Sequence, residues 1–398
     1  MEQNIITLEK ALKECYLPAW KNQLSTEPTP LLGKIKKVTL EGNEIVATAP
    51  IGLSGGFGFG VEGGATPQAG NVNYECFKTY AKDQYVNICI SEKAVQLANG
   101  KSGSMINALE REIEAGYETA KWNCGRSLYG NGTGILAKTS AQESAGVVVK
   151  VDDCKNVKEG LIVDFYNDAK SKVATLRIKD VNRVANSDGT YSVTLYEAHT
   201  SALPKGFITL QNSYGVEYTG LGAIFDDSIT SIYGIEKATN NWLKPVVVDA
   251  SDEGGISDGL ITKTLRRAKN EKNSNIDTIL CGDDAYDYYV DYLRSTNNRN
   301  EVATHEMVGG FQAITFKLGN RIVDIVNEQF VPKDEMWGVD TNALELHQFD
   351  WRFATLKGGD IFNLMPGTSV YRALLCNYGD LICTNPGGCV RIKGIKGE

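Results

Sequence analysis

Residue types able to do chemistry are few in this sequence, and they are poorly grouped. Histidine occurs three times, at His199, His305 and His347, and no two are close. That leaves little for a Ser-His-Asp or Cys-His arrangement, and there is no paired-histidine zinc motif. His305-Glu306 lies in a polar stretch and reads as solvated loop ahead of a metal pair. The nine cysteines, Cys15, Cys76, Cys89, Cys124, Cys154, Cys281, Cys376, Cys383 and Cys389, are scattered with no C-x-x-C spacing. They are expected to be mostly reduced and packed as small hydrophobes. No catalytic residue, cofactor or metal is expected.

Other patterns need their context. Gly58-Phe59-Gly60-Val61-Glu62-Gly63 matches G-x-G-x-x-G, which in a dinucleotide fold brings a helix N-terminus against a pyrophosphate. Here Gly64, Pro67 and Gly70 follow, so the required helix cannot open and the stretch reads as a flexible loop. Asp283-Asp284 could be cation ligands, but Asp283 precedes a helical pattern and is well placed to cap it. For Asp226-Asp227, a turn and a functional pair remain equally open. Lys34, Lys36 and Lys37 read first as a solvated strand face and second as a patch for phosphates or acidic neighbours.

Any such residues must be positioned by a chain of 398 residues, enough for two or three domains, with a net charge of -8. That charge excludes a global basic field for neutralising phosphates, so a meeting with DNA would be that of a container wall. No run of eighteen apolar residues could cross a bilayer, and the start MEQNIITLEKALKE lacks the build of a secretory signal or transit peptide. Cytosolic synthesis is expected.

Leu8, Leu12, Cys15 and Leu17 through Trp20 form an amphipathic start, followed by a segment, Ser25 to Pro30, that its prolines keep extended. Strand signals at 35–40 and 44–48 flank Glu41-Gly42-Asn43, turn chemistry suited to a hairpin. Residues 52–70 are rich in glycine with two phenylalanines. Strand-like alternation resumes at 74–77 and 84–90, which places the glycine stretch near the tip of a two-stranded excursion. Ile106, Leu109, Ile113, Tyr117, Ala120, Cys124 and Leu128 predict a helix from Ser102 to Leu128, with Lys121 complementing its dipole, stopped by Tyr129-Gly130-Asn131-Gly132. Five short strands between 146 and 215 predict a small barrel or sandwich. Further on, helices at 257–270 and 283–294 mix with strands at 278–281, 311–316, 321–326 and 336–339.

This order of features, with the passages ALEREIEAGYETAKWNCGRSLYGNGTGILA, Gly220-Leu221-Gly222-Ala223-Ile224-Phe225-Asp226-Asp227 and IDTILCGDDAYDYYVDYL, resembles the major capsid proteins of tailed bacteriophages with the Hong Kong 97-type fold. The resemblance implies an α+β subunit. Its parts would be an N-terminal arm (1–35), an extended β-hairpin loop (36–90), a peripheral domain with a spine helix (91–145), an inserted β-rich domain (146–215), more of the peripheral domain (216–244), an axial domain (245–340) and the C-terminal part of the peripheral domain (341–398).

It implies a non-enzymatic, self-assembling shell of hexamers and pentamers enclosing DNA without sequence-specific binding. The shell would be located in the virion and assembled in the host bacterial cytoplasm, without a membrane. Phe57 and Phe59 at the loop tip, with Lys78 and Lys82 beyond it, would be intersubunit contacts. Because the hairpin begins within the first forty residues, no room is left for a cleaved scaffolding region. The implied partners are thus a separate scaffolding protein, a portal and, as an optional addition, a decoration protein. Two alternatives stand beside this reading: a cellular nanocompartment shell of the same fold, and an α/β enzyme with a glycine-rich substrate loop.

Overall fold

The computed structural model describes residues 20, 23–24, 27–52, 55–93, 103–142, 145–199, 201–253, 255–297, 304–307, 311–319, 321–355 and 361–396. The amphipathic start lies outside these except for Trp20. The fold is α+β, and the chain separates into two compact units, Arg126–Ala223 and the chain on either side of it.

In the flanking unit, seven strands form a mixed sheet in the order Val246–Asp249, Val390–Lys393, Met336–Val339, Thr278–Cys281, Arg321–Asn327, Gln312–Leu318, Thr304–Glu306. Alternate residues Ile279 and Cys281, Val323 and Ile325, Val390 and Ile392 point to one face, as a period of two requires. On that face lie two helices, Asp258–Lys272 through Leu260, Ile261 and Leu265, and Asp283–Asn297 through Ala285 and Tyr289. Ser257 caps the first, its Oγ accepting from the Leu260 amide at 3.2 Å, and Asn273 in the left-handed region ends it. The second corrects a sequence expectation: Asp283 is the first residue of its helix and not the cap. The Gly282 carbonyl already accepts from the Tyr286 amide, and Asp283 and Asp284 occupy the first turn, where negative charge is favourable.

A second sheet is organised by one fourteen-residue strand, Val370–Cys383, which pairs along its length with Lys82–Ser91, Leu344–Gln348, Arg352–Phe353 and Asn363–Leu364. The helix Gly103–Tyr129 lays Tyr117, Ala120 and Cys124 against Ile88, Ile90, Phe353 and Leu375, and Trp20 stacks on Tyr117 with ring centroids 5.1 Å apart. Lys121 is tied to Glu27 at 2.9 Å, so its role is tethering the preceding segment more than complementing the helix dipole. Thr29 is extended, as a residue before proline should be, and Pro30 then opens a short 3-10 turn to Gly33.

The strand Lys36–Thr39 also departs from expectation. It does not form a hairpin with Glu44–Ile51 but pairs in parallel with Leu344–Gln348, Lys36 opposite Glu345. The ion pair of those two side chains at 2.6 Å and the Leu40 amide bonded to the Gln348 carbonyl reinforce this choice. Glu44–Ile51 pairs instead with Asn73–Tyr80. Lys34 reaches Asp324 and donates to Thr278 Oγ1 at 2.8 Å. Lys34 is thus a part-buried structural ion pair, whereas Lys36 and Lys37 are exposed on their strand, as expected, with Lys36 paired to Glu345.

Arg126–Ala223 contains a closed six-stranded barrel in the order Gly206–Leu210, Ile135–Thr139, Val148–Val151, Tyr191–Leu195, Lys172–Val181, Ile162–Asn167, and back to the first. Its core is aliphatic with one aromatic ring, including Val149, Val163, Phe165, Ile178, Leu195 and Ile208. Ile135–Thr139, not read as a strand from sequence, is the one that closes the ring. Closure leaves no edge to aggregate. Gly220 runs so close to the end of the long helix that a Cβ there would stand 2.5 Å from the Leu128 carbonyl oxygen, which explains glycine at the head of the Gly220–Phe225 passage.

Within the barrel Asp164 is fully buried. It accepts from the Asn212 amide at 2.8 Å, the Thr175 hydroxyl at 2.6 Å and Lys172 Nζ at 2.9 Å. Burial alone would raise its pKa, but these donors outweigh burial and hold the carboxyl below its usual value. A depressed folded pKa means the carboxylate contributes stability above the unfolded pKa and loses it as pH falls through the folded one. Acidification from about pH 5 to pH 2 is therefore expected to weaken hydrogen-exchange protection of the barrel amides. In Asp164→Asn this part of the pH dependence should vanish, along with part of the protection at neutral pH.

Candidate functional site

The excursion Glu44–Ile51 with Asn73–Tyr80 is a two-stranded sheet with unlike faces. One face, Ile45, Ala47, Phe77 and Thr79, is buried. Phe77 makes edge contacts with Tyr233 and Trp242 at 6.0 and 5.9 Å, and Thr79 donates to the buried carboxylate of Asp380 at 2.5 Å. On the opposite face the register sets Val46 beside Lys78, Glu44 beside Tyr80 and Pro50 beside Tyr74, all of them exposed. Here Lys78 pairs loosely with Glu44 at 3.8 Å.

Beyond these strands lies the glycine-rich tip. At its neck a Cβ on Gly70 would stand 2.3 Å from the Gly55 amide nitrogen, so the two backbones touch where only glycine fits. The far end turns with the Gly64 amide bonded to the Val61 carbonyl at 2.9 Å. Phe57 and Phe59 stand 82% and 95% exposed, edge to face with centroids 5.4 Å apart. Two aromatic rings so placed pack on little but each other, an arrangement that suits a contact with another surface.

Of the four residues singled out from sequence, the structure brings Phe57 and Phe59 together. It puts Lys78 on the exposed strand face and separates Lys82, which is half-buried and opens the neighbouring sheet opposite Gly379. Tyr74, Tyr80 and Val46 share the exposed face with Lys78, and the sequence does not single them out. Which face of a strand is free follows from its pairing, and pairing is not visible in a single strand's sequence.

The other chemical candidates resolve into structure. The Asp226 side chain accepts from the Ser228 amide at 2.8 Å in a turn, and Lys237 Nζ donates to the Ile224 and Asp226 carbonyls at 3.1 and 2.9 Å. Burial lowers the Lys237 pKa against the opposing pull of Asp226 and Asp227. Burial pushes the Cys124 thiol up to about 12, so it is no nucleophile at neutral pH. Among the described residues no three His, Cys, Asp or Glu side chains group as metal ligands, and no helix is long and apolar enough to cross a membrane. His347 bonds Glu345 at 3.1 Å, and His199 Nδ1 is held by Ser201.

No family model matches the sequence, and no curated protein matches it. Solved structures do resemble the fold. The cyanophage A-1(L) capsid asymmetric unit is similar over 93% of each chain with a TM-score of 0.54 at 12% identity. A capsid of an empty GTA particle aligns over 93% of this chain and 91% of that one, with a TM-score of 0.48 at 9% identity. The holo-SrpI encapsulin complex from Synechococcus elongatus aligns over 91% and 85%, with a TM-score of 0.45 at 8% identity. The chain has a phage capsid-subunit fold of the Hong Kong 97 type.

Proposed function

We propose that this chain is the major capsid protein of a tailed bacteriophage, a non-enzymatic subunit that assembles into hexamers and pentamers of an icosahedral shell around double-stranded DNA. The observation that carries the reading is the exposed aromatic tip on its two-stranded excursion. On an isolated subunit that tip is a liability, because exposed aromatics and open strand edges invite association. In a shell it lies over a neighbouring subunit. Phe57 and Phe59 make the main contact, with Lys78, Tyr74 and Tyr80 on the face behind them, and Lys82 at the base.

The glycines of the tip allow one sequence to meet neighbours at the different angles of five-fold and six-fold rings. Residues 245–340, with the two helices, serve as the axial domain, its sheet extended by the C-terminal strand Val390–Lys393 from the stretch first expected to be wholly peripheral, and the fourteen-residue strand with the long helix serves as the peripheral one. The barrel is an added domain. A separate scaffolding protein and a portal are the partners, with a decoration protein as an optional addition, and the net charge of -8 suits a wall that encloses DNA without gripping it.

Electron microscopy of the nuclease-treated protein, expressed alone and with its scaffolding partner, tests the reading. Closed shells or rings of five and six are the expected result. A uniform monomer or dimer in both preparations would sink it. Shells that package protein cargo and no DNA during infection would move it to a nanocompartment.

A further inference from the structure

The two helices on the seven-stranded sheet carry opposite charge. Asp258–Lys272 contains five cations against two acids, a net of +3, whereas Asp283–Asn297 contains four acids against one arginine, a net of -3. Neither distribution is even around the helix. Buried Leu260, Ile261, Thr264, Leu265 and Ala268 face the core, so Lys263, Arg266 and Arg267 fall at helical spacing on the exposed side. On the second helix the exposed side carries Asp284, Asp287 and Asp291, again at spacings of three and four.

The sheet order separates these faces. The cationic helix packs over Val246–Asp249 and Val390–Lys393, at one edge of the sheet, and the acidic helix over Arg321–Asn327, toward the other edge at Thr304–Glu306. Each edge has a groove lined by charged side chains with a few apolar ones among them. Val247 and Val248 lie beside Lys263 and Arg267 in one, and Val290 and Ile314 lie beside Asp287 and Asp291 in the other. Local counter-charges temper both faces without cancelling them. Glu271 pairs with Arg267 at 2.9 Å, Asp249 and Asp252 line the cationic groove, Lys393 approaches Asp249 at 3.4 Å, and Arg294 lies 3.5 Å from Asp291.

We propose that the occupant of each face is a second copy of this chain: the cationic helix of one subunit docks on the acidic helix of the next. This rests on the shell reading and specifies the contact that closes its rings. A two-fold contact would set like charge against like at either edge. A head-to-tail contact satisfies both edges of every copy and propagates until it closes. The few apolar side chains of each groove add burial, and the charges fix orientation and exclude the reversed approach.

The test is a charge swap in the full chain, with assembly followed by light scattering and electron microscopy. Lys263→Glu with Arg266→Glu, and separately Asp287→Lys with Asp291→Lys, should each raise the concentration needed for assembly by about tenfold or more. The chain carrying all four changes should assemble like the wild type. Circular dichroism and melting establish that each variant is folded. If a reversal disturbs folding, the neutral pair Lys263→Gln with Arg266→Gln replaces it, with a smaller rise expected. Either reversed pair assembling as readily as the wild type overturns the proposal, and so does a folded four-fold variant that stays unassembled. Failure of the wild type to assemble, alone or with scaffolding, overturns the shell reading instead.

Discussion

Replacing both Phe57 and Phe59 with serine is expected to abolish closed particles while leaving the subunit's own stability unchanged within about 0.5 kcal/mol, the range for surface changes that touch no core. The two rings are 82% and 95% exposed and meet only each other closely, so the folded subunit gains little from them. On the shell reading they are buried by a neighbour, where a central aromatic anchor is worth about 2 kcal/mol or more. Two such anchors amount to about 4 kcal/mol, or roughly a thousandfold in each association constant, and a closed shell compounds the loss over every contact. Melting curves and sedimentation of the same preparations check both halves. A parallel loss of melting temperature and assembly would mean that the tip folds back on its own subunit. Unchanged assembly would remove the tip from the interface.

The exposed aromatic tip was legible in the sequence because two phenylalanines among the glycines of 52–70 stand out without any knowledge of the fold. The exposed strand face behind them was not. Tyr74 and Tyr80 flank Phe77 at odd spacing, and only pairing with Glu44–Ile51 shows that Phe77 turns inward toward Trp242 while the tyrosines stay outside. The same physics separates the strands read correctly from those misread. Thr278–Cys281 and Met336–Val339 are short, wholly buried runs bounded by turn residues, and composition alone marks them. Lys36–Thr39 finds its partner some three hundred residues away at Glu345, and no local turn signal can announce a parallel pairing of that range. Its adjacency to Glu44–Ile51 through Glu41-Gly42-Asn43 suggested the wrong one. Ile135–Thr139 is masked in the sequence by the glycines that stop the long helix directly before it, yet it is the strand that lets the barrel close.

Glu217→Ala is expected to cost the barrel unit about 3–5 kcal/mol, the penalty for stripping one partner from a buried ion pair. Arg126, in the last turn of the long helix, and Glu217, in the segment after the barrel's final strand, form a two-pronged contact with N–O distances of 2.9 and 2.5 Å. Their side chains are only 5% and 9% exposed. With the carboxylate gone, the buried guanidinium loses its charge partner, whereas an ordinary surface pair would cost less than about 1 kcal/mol. The two segments that enter and leave the barrel are the ones joined, so the effect should appear as lost hydrogen-exchange protection throughout Arg126–Ala223. The companion variant Arg126→Met with Glu217→Leu distinguishes a buried-charge penalty from a packing defect. If the charge is the cause, the apolar pair fills the same space and recovers most of the loss. If the double change is as damaging as Glu217→Ala alone, the bidentate geometry itself holds the ends of the barrel together.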